Sequence, residues 1–169
     1  MKKRFITSLT LFLFSVGAVF AQVPADQDTI LIPGGIDNAG LLEQTINADT
    51  VAGGSRINPN RVYKLEKDQF YYQVSSILFG NPNDTTATLN IVGEKGGKKP
   101  IILLQPAEGA LVPTSNIYGN LTIKNVYYNL LDVYGAGIGG WFDYYMIPQR
   151  TTLTLEDAVF DGGHGALFS

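Results

Sequence analysis

Few side chains in this 169-residue sequence could drive a reaction, and those few gather near its end. His164 is the single histidine, set among Gly162, Gly163 and Gly165, with Glu156, Asp157 and Asp161 shortly before it. Carboxylates beside an imidazole can share acid and base roles or hold a divalent ion, provided the fold brings them within about 5 to 10 Å. Asp157, however, falls where a chain corner is expected, and a histidine flanked by glycines is an ordinary turn residue. No catalytic residue, metal ligand or cofactor is assigned. The stretch Gly93-Glu94-Lys95-Gly96-Gly97-Lys98-Lys99 has the residue types of a phosphate loop without its spacing or its following Ser or Thr, and reads as a charged turn. The absence of cysteine removes thiolate nucleophiles, thiolate zinc sites and disulfides.

Recognition chemistry is better represented than catalytic chemistry. Tyr127, Tyr128, Tyr134, Trp141, Phe142, Tyr144 and Tyr145 crowd together, with Gly135, Gly137, Gly139 and Gly140 between them. Aromatic faces on a glycine-rich loop can stack on sugar rings while a hydroxyl or indole N–H makes a polar contact. Trp141, Tyr144 and Tyr145 are the candidate glycan contacts, with packing against the protein as the competing role; Tyr128 is expected in the core. The partner would be a polysaccharide or a cell-surface glycan. Nucleic acid is not expected, since a net charge of −3 comes with no clustered basic face. Glycosylation sequons at Asn83-Asp84-Thr85 and Asn120-Leu121-Thr122 carry no weight, the second falling in an expected strand.

The elements that must position these residues are mostly strands. With 45% apolar and 16% charged residues the chain is long enough for one packed domain and too mixed for a disordered tail or a multi-span membrane protein. Tyr63 and Leu65 alternate with Lys64 and Glu66, and Phe70, Tyr72 and Val74 alternate with Tyr71 and Gln73, the period of consecutive strands. Ile101 to Leu104 is a continuous apolar run, as in a strand covered on both faces. Ile30 to Ile32 is a candidate edge strand. One helix of about ten residues is expected, capped by Asp37 or Asn38, with Leu42 and Ile46 on one stripe beside Leu41. Val51 to Pro59 reads as a loop.

A repeat organises the rest. Thr88-Leu89-Asn90-Ile91-Val92-Gly93 returns as Asn120-Leu121-Thr122-Ile123-Lys124-Asn125 and again, at the same offset, as Thr152-Leu153-Thr154-Leu155-Glu156-Asp157. The sixth residue is Gly, Asn or Asp, the types that tolerate a left-handed corner. Val126-Tyr127-Tyr128-Asn129 likewise matches Ala158-Val159-Phe160-Asp161. A chain that winds once per repeat would stack Leu89, Leu121 and Leu153 in one inward column and Ile91, Ile123 and Leu155 in another. Outward columns would be Asn90, Thr122, Thr154 and Val92, Lys124, Glu156, and the early helix would close one end of the coil.

The segment Leu41-Leu42-Glu43-Gln44-Thr45-Ile46, followed by Asn58-Pro59-Asn60-Arg61-Val62-Tyr63 and by Leu121-Thr122-Ile123-Lys124-Asn125, resembles the start of right-handed parallel β-helix proteins of the pectate-lyase-like superfamily. It is especially similar to large exported members from Bacteroidota-type bacteria. The resemblance runs from about Asn38 to the end, and departs from the family in its long insertions and in lacking a fourth copy at Arg56. It implies an all-β fold, a right-handed parallel β-helix (solenoid) with a short N-terminal capping helix. Enzymes of that superfamily work through a basic residue with aspartate-bound calcium, or through paired carboxylates; the outward columns here contain no aspartate ladder.

The segment from Met1 to Ala21 reads as a secretory signal peptide. Lys2, Lys3 and Arg4 precede an apolar stretch from Phe5 to Phe20, and Val19 and Ala21 stand at the small-residue positions of a cleavage site. Cleavage before Gln22 would remove three basic and no acidic residues, taking the formal charge from −3 to −6. The expected organisation is a signal peptide at 1–21, a leader at 22–36, and a cap with the first coils at 37–169, as the N-terminal part of a longer bacterial protein. No membrane span is expected after cleavage. The function expected is structural, adhesive or glycan-binding, at the cell surface or secreted, without catalysis in these coils. The alternative is the start of a polysaccharide lyase or hydrolase whose acids lie on later coils.

Overall fold

Short apolar strands bury their inward side chains only against other strands, and strands that recur at a constant step can do so by lying over one another. The computed structural model describes residues 28–51, 55–82, 85–105, 115–132, 134–137, 142–144 (backbone) and 151–163. The chain begins with β1 (Thr29–Ile32), a 3-10 turn at Ile36–Asn38 and α1 (Leu41–Ala48). A first turn follows as β2 (Val62–Leu65), β3 (Phe70–Gln73) and β4 (Leu78–Phe79). The second is β5 (Thr88–Gly93), β6 (Ile101–Leu104) and β7 (Ser115–Ile117), and the third β8 (Asn120–Lys124), β9 (Tyr127–Asn129) and β10 (Phe142–Tyr144). The last described strands are β11 (Leu153–Glu156) and β12 (Val159–Asp161).

The strands stack into three sheets, β1-β2-β5-β8-β11, β3-β6-β9-β12 and β4-β7-β10. Every pairing between them is parallel. This is a β-solenoid with, among the described residues, one short α-helix near its N-terminal end. Leu89, Leu121 and Leu153 share a register, as do Tyr63, Ile91, Ile123 and Leu155. In the second sheet Tyr71, Ile102, Tyr128 and Phe160 form the corresponding column, the last two rings stacked 5.2 Å apart. Leu89, Ile91, Leu121 and Ile123 are fully buried. Each contributes about 2 to 3 kcal/mol of apolar burial relative to an exposed position.

Several expectations need correction. There is an earlier coil, displaced from the place where a fixed offset would put it. Val62 pairs with Asn90, a shorter step than the one from Asn90 to Thr122, so the offset of the later copies carried back from Thr88 lands in the loop at Arg56. In β3 the inward residues are Tyr71 and Gln73, while Phe70 and Val74 face solvent. Ile101–Leu104 is buried on one face through Ile102 and Leu104 and only half-buried on the other. Asn125 and Asp157 take the left-handed corner, with φ of 52° and 53°, but Gly93 does not. Gly93 is required by proximity instead, because a Cβ there would lie 2.0 Å from the Asn125 carbonyl oxygen. The Asn125 amide donates back to the carbonyls of Gly93 and Glu94 at 3.2 and 2.9 Å, tying one corner to the next.

The helix also differs in detail. Its N-cap is Gly40 at φ 82°, with no side-chain cap, because Asp37 and Asn38 are used in the separate 3-10 turn. Leu42 and Ile46 are buried as expected, and so is Glu43. The Glu43 carboxylate accepts from the backbone N–H groups of Val74 and Ser75 at 2.8 and 3.0 Å, and Asn47 both donates to Ser76 and accepts from Leu78. These bonds fasten the helix to the β3–β4 connection, where it closes that end of the coil.

Candidate functional site

The outer face of the first sheet is built from the residues that alternate with the buried ladders. Parallel register stacks Thr29, Val62, Asn90, Thr122 and Thr154 in one column. Leu31, Lys64, Val92, Lys124 and Glu156 form the neighbouring column. Five rungs at about 4.8 Å span roughly 19 Å. Between the columns runs an open groove of about 440 Å³, lined by Thr29, Val62, Lys64, Asn90, Val92, Thr122, Lys124 and Thr154.

Its polar groups are partly committed. Lys64 pairs with Glu94 at 3.3 Å and Lys124 with Glu156 at 2.8 Å, each side chain more than a third exposed. Both lysines hold their partner carboxyls below the ordinary glutamate range, through the hydrogen bond first and the charge second. The Asn90 amide lies near the carbonyls of Asn60, Arg61 and Thr88 at 3.3 to 3.4 Å, which fixes its orientation in the floor. Hydroxyls, an amide, two ammonium groups and the apolar patches of Val62 and Val92 can hold a hydroxylated chain by hydrogen bonds and flat contact.

The acidic group near the end of the chain is dispersed. Glu156 lies on the outer face of the first sheet, Asp157 at the corner beside Lys99 at 2.5 Å, and Asp161 in the second sheet, where it accepts from the Tyr127 hydroxyl. His164 lies outside the described residues. Among the described residues no cluster of His, Cys, Asp and Glu could hold a metal ion. Of the aromatic candidates, Trp141 and Tyr145 lie outside the described residues, and Tyr144 is placed by its backbone alone, opposite Ile117 in the third sheet. Tyr128 is in the core, as expected. Tyr134, on the turn held by Asp132, is 91% exposed.

The repeat identifies the outward columns as outward but not as a groove. Their signal is present in its alternate positions, yet Thr, Asn and Lys on a single strand look like any solvated face. A second cluster has no sequence signal at all. Asp49 and Arg56 are buried at the C-terminal end of α1 and paired at 3.4 Å, and Arg56 also donates to the Ile46 carbonyl and the Tyr63 hydroxyl. Tyr63 donates to Asp49 at 2.8 Å, and Arg61 bridges Asp49 to Asp28. The Arg56 guanidinium lies 4.6 Å from the Phe79 ring centre. Both Asp49 oxygens and both terminal nitrogens of Arg56 are engaged, and neither side chain opens to solvent. This cluster fastens the closed end and is not a ligand site.

No protein-family model, curated protein or solved structure matches the chain.

Proposed function

We propose that the chain is an exported, non-catalytic β-solenoid segment that binds an extended glycan along the outer face of its first sheet. The observation that carries this reading is the groove: five stacked rungs presenting Thr, Asn, Lys and Val in two adjoining columns. A polysaccharide in extended form is a ligand of matching shape, because it repeats its hydroxyls along a line as the sheet repeats its rungs. Tyr134, 91% exposed on the connection from the second sheet to the third, is a separate candidate for stacking on a sugar ring. Export rests on the signal peptide, and the pectate-lyase-like superfamily on the helix and repeat residues that carry the resemblance.

The test is binding of the mature chain, 22–169, to a panel of soluble polysaccharides, neutral (xylan, cello-oligosaccharides) and acidic (polygalacturonate, alginate), by calorimetry. Thr122→Trp should fill the groove and abolish binding without unfolding the chain, since Thr122 points outward. Affinity for none of the panel, or affinity unchanged by Thr122→Trp, would overturn the groove reading. Accumulation of unsaturated uronates during incubation would favour the lyase alternative.

A further inference from the structure

Where β6 and β9 end, the surface of the second sheet holds a small open cleft of about 180 Å³, on a different sheet from the groove. This is below the roughly 300 to 1,000 Å³ that encloses a drug-sized ligand, and suits a single small ring. Leu103 and Leu131 give the cleft its apolar lining, and Gln105, Asn129 and Asp132 its polar groups. Gly162 packs against Leu131 so closely that a Cβ would lie 2.3 Å from it, which fixes that side chain in the wall.

Two of the polar side chains are held by the backbone. Asn129 Oδ1 accepts from the Leu131 N–H at 2.9 Å, and the amide nitrogen of Asn129 has no partner among the described residues. Asp132 Oδ1 accepts from the N–H groups of Tyr134 and Ala136 at 2.9 and 2.8 Å, and its Oδ2 has no partner among the described residues. Both orientations are therefore set before a ligand arrives, and each side chain keeps one group to offer. A fixed N–H donor and a fixed carboxylate acceptor in one cleft match a vicinal diol, whose first hydroxyl donates to the carboxylate while the second accepts from the amide.

Charge narrows the ligand class. Asp132 lines the cleft, Asp161 stands beside Asn129 in register, and no lysine or arginine lines it. An anionic sugar would meet like charge with no cation to offset it. Tyr134 lies on the turn between Asp132 and Gly135, both of which line the cleft, and its ring, 91% exposed, is uncovered for stacking.

We infer that this cleft is a subsite for one neutral pyranose residue, held through a vicinal diol by Asp132 and Asn129 and stacked on by Tyr134. The inference does not depend on the groove of the first sheet.

The probes are the methyl pyranosides of glucose, galactose and mannose, which together present cis and trans vicinal diols. They are titrated into the mature chain, 22–169, while backbone amide shifts are followed by NMR. At least one should shift the amides of Gln105, Leu131, Tyr134 and Gly135 with a Kd of about 1 to 10 mM. Cyclohexanol, with one hydroxyl, and methyl galacturonide, with a negative charge, should not. Asp132→Asn keeps an oxygen for the turn but loses the carboxylate acceptor, and should weaken binding by about tenfold or more. Tyr134→Ala, at an exposed position, should weaken it by about fivefold. No shift at those amides with any of the three sugars, equal binding of methyl galacturonide, or affinity unchanged in both variants would overturn the inference. Shifts confined to Val62–Lys64 and Thr122–Lys124 would overturn it too, placing the sugar in the first-sheet groove and leaving that reading intact.

Discussion

The same inward columns finish differently at the two ends of the solenoid. At the N-terminal end Ile32 of β1 is 1% exposed and Ile30, in the column of Tyr63, is partly buried, while at the other end Leu155, in the same column, is 46% exposed. What separates them is what lies beyond the last rung: α1 and a buried cluster of ions on one side, and no described element on the other. Closure of a stacked sheet therefore takes more than apolar residues. The edge carbonyls of β3 need donors, which Gly35 and Gly40 supply, and the β3–β4 turn needs an acceptor, which is the buried Glu43 carboxylate. Glycine suits the first role because both positions have positive φ, 98° and 82°.

The largest expected effect comes from moving one substitution along a column. Leu121→Asp puts a carboxylate in a dry aliphatic stack and should destabilise by about 4 kcal/mol or more, enough to unfold a short solenoid. Leu155→Asp makes the same kind of change at the open rung and should cost under about 1 kcal/mol, because water reaches the site. Chemical denaturation of both variants measures the difference, and equal losses would erase the distinction between covered and open rungs.

A smaller contrast concerns ion pairs. Arg56→Met leaves Asp49 buried with only Arg61 and Tyr63 as partners, and should cost about 3 kcal/mol. Lys124→Met removes the exposed pair with Glu156 and should leave stability nearly unchanged. Thermal melts at low and high salt separate the two, since salt screens the exposed pair and not the buried one.

The smallest contrast is in pH dependence. Burial pushes the Tyr71 phenol up to about 12 from 10.0 and raises Tyr63 further, so the folded state keeps protons that the unfolded chain releases. That stability is complete below pH 10 and is lost as pH rises toward 12. At the open end the sign reverses. Lys124 holds the Glu156 carboxyl below its ordinary 4.5, so its contribution is present above pH 4.5 and is lost on acidification, weakly because the group is exposed. Denaturation midpoints between pH 3 and 11.5 should show the alkaline loss as the steeper of the two.

The ladders were legible in the sequence because β5, β8 and β11 keep one constant step, Leu89 to Leu121 to Leu153, and one hydrophobic period. The coil at β2 was not, because its step is shorter and its column residue is Tyr63, which does not look like the aliphatic residues it joins. Gln73 and Glu43 are polar by type and yet buried, each by a partner far along the chain: Gln73 lies near Ser115, Glu43 accepts from Val74 and Ser75. The groove was half legible. Alternation marked the outward residues, and only the register made neighbours of Lys64, Val92 and Lys124.

Parallel stacking also sets how the chain finds its structure. From β2 onward each first-sheet strand pairs with a partner one coil away, Tyr63 with Ile91 and Ile91 with Ile123, and this separation hardly changes along the axis. The entropy of closing each loop is therefore nearly the same at every rung. Folding can begin where α1 and the ion cluster provide local contacts and then advance by repeated addition, each completed turn serving as the template for the next.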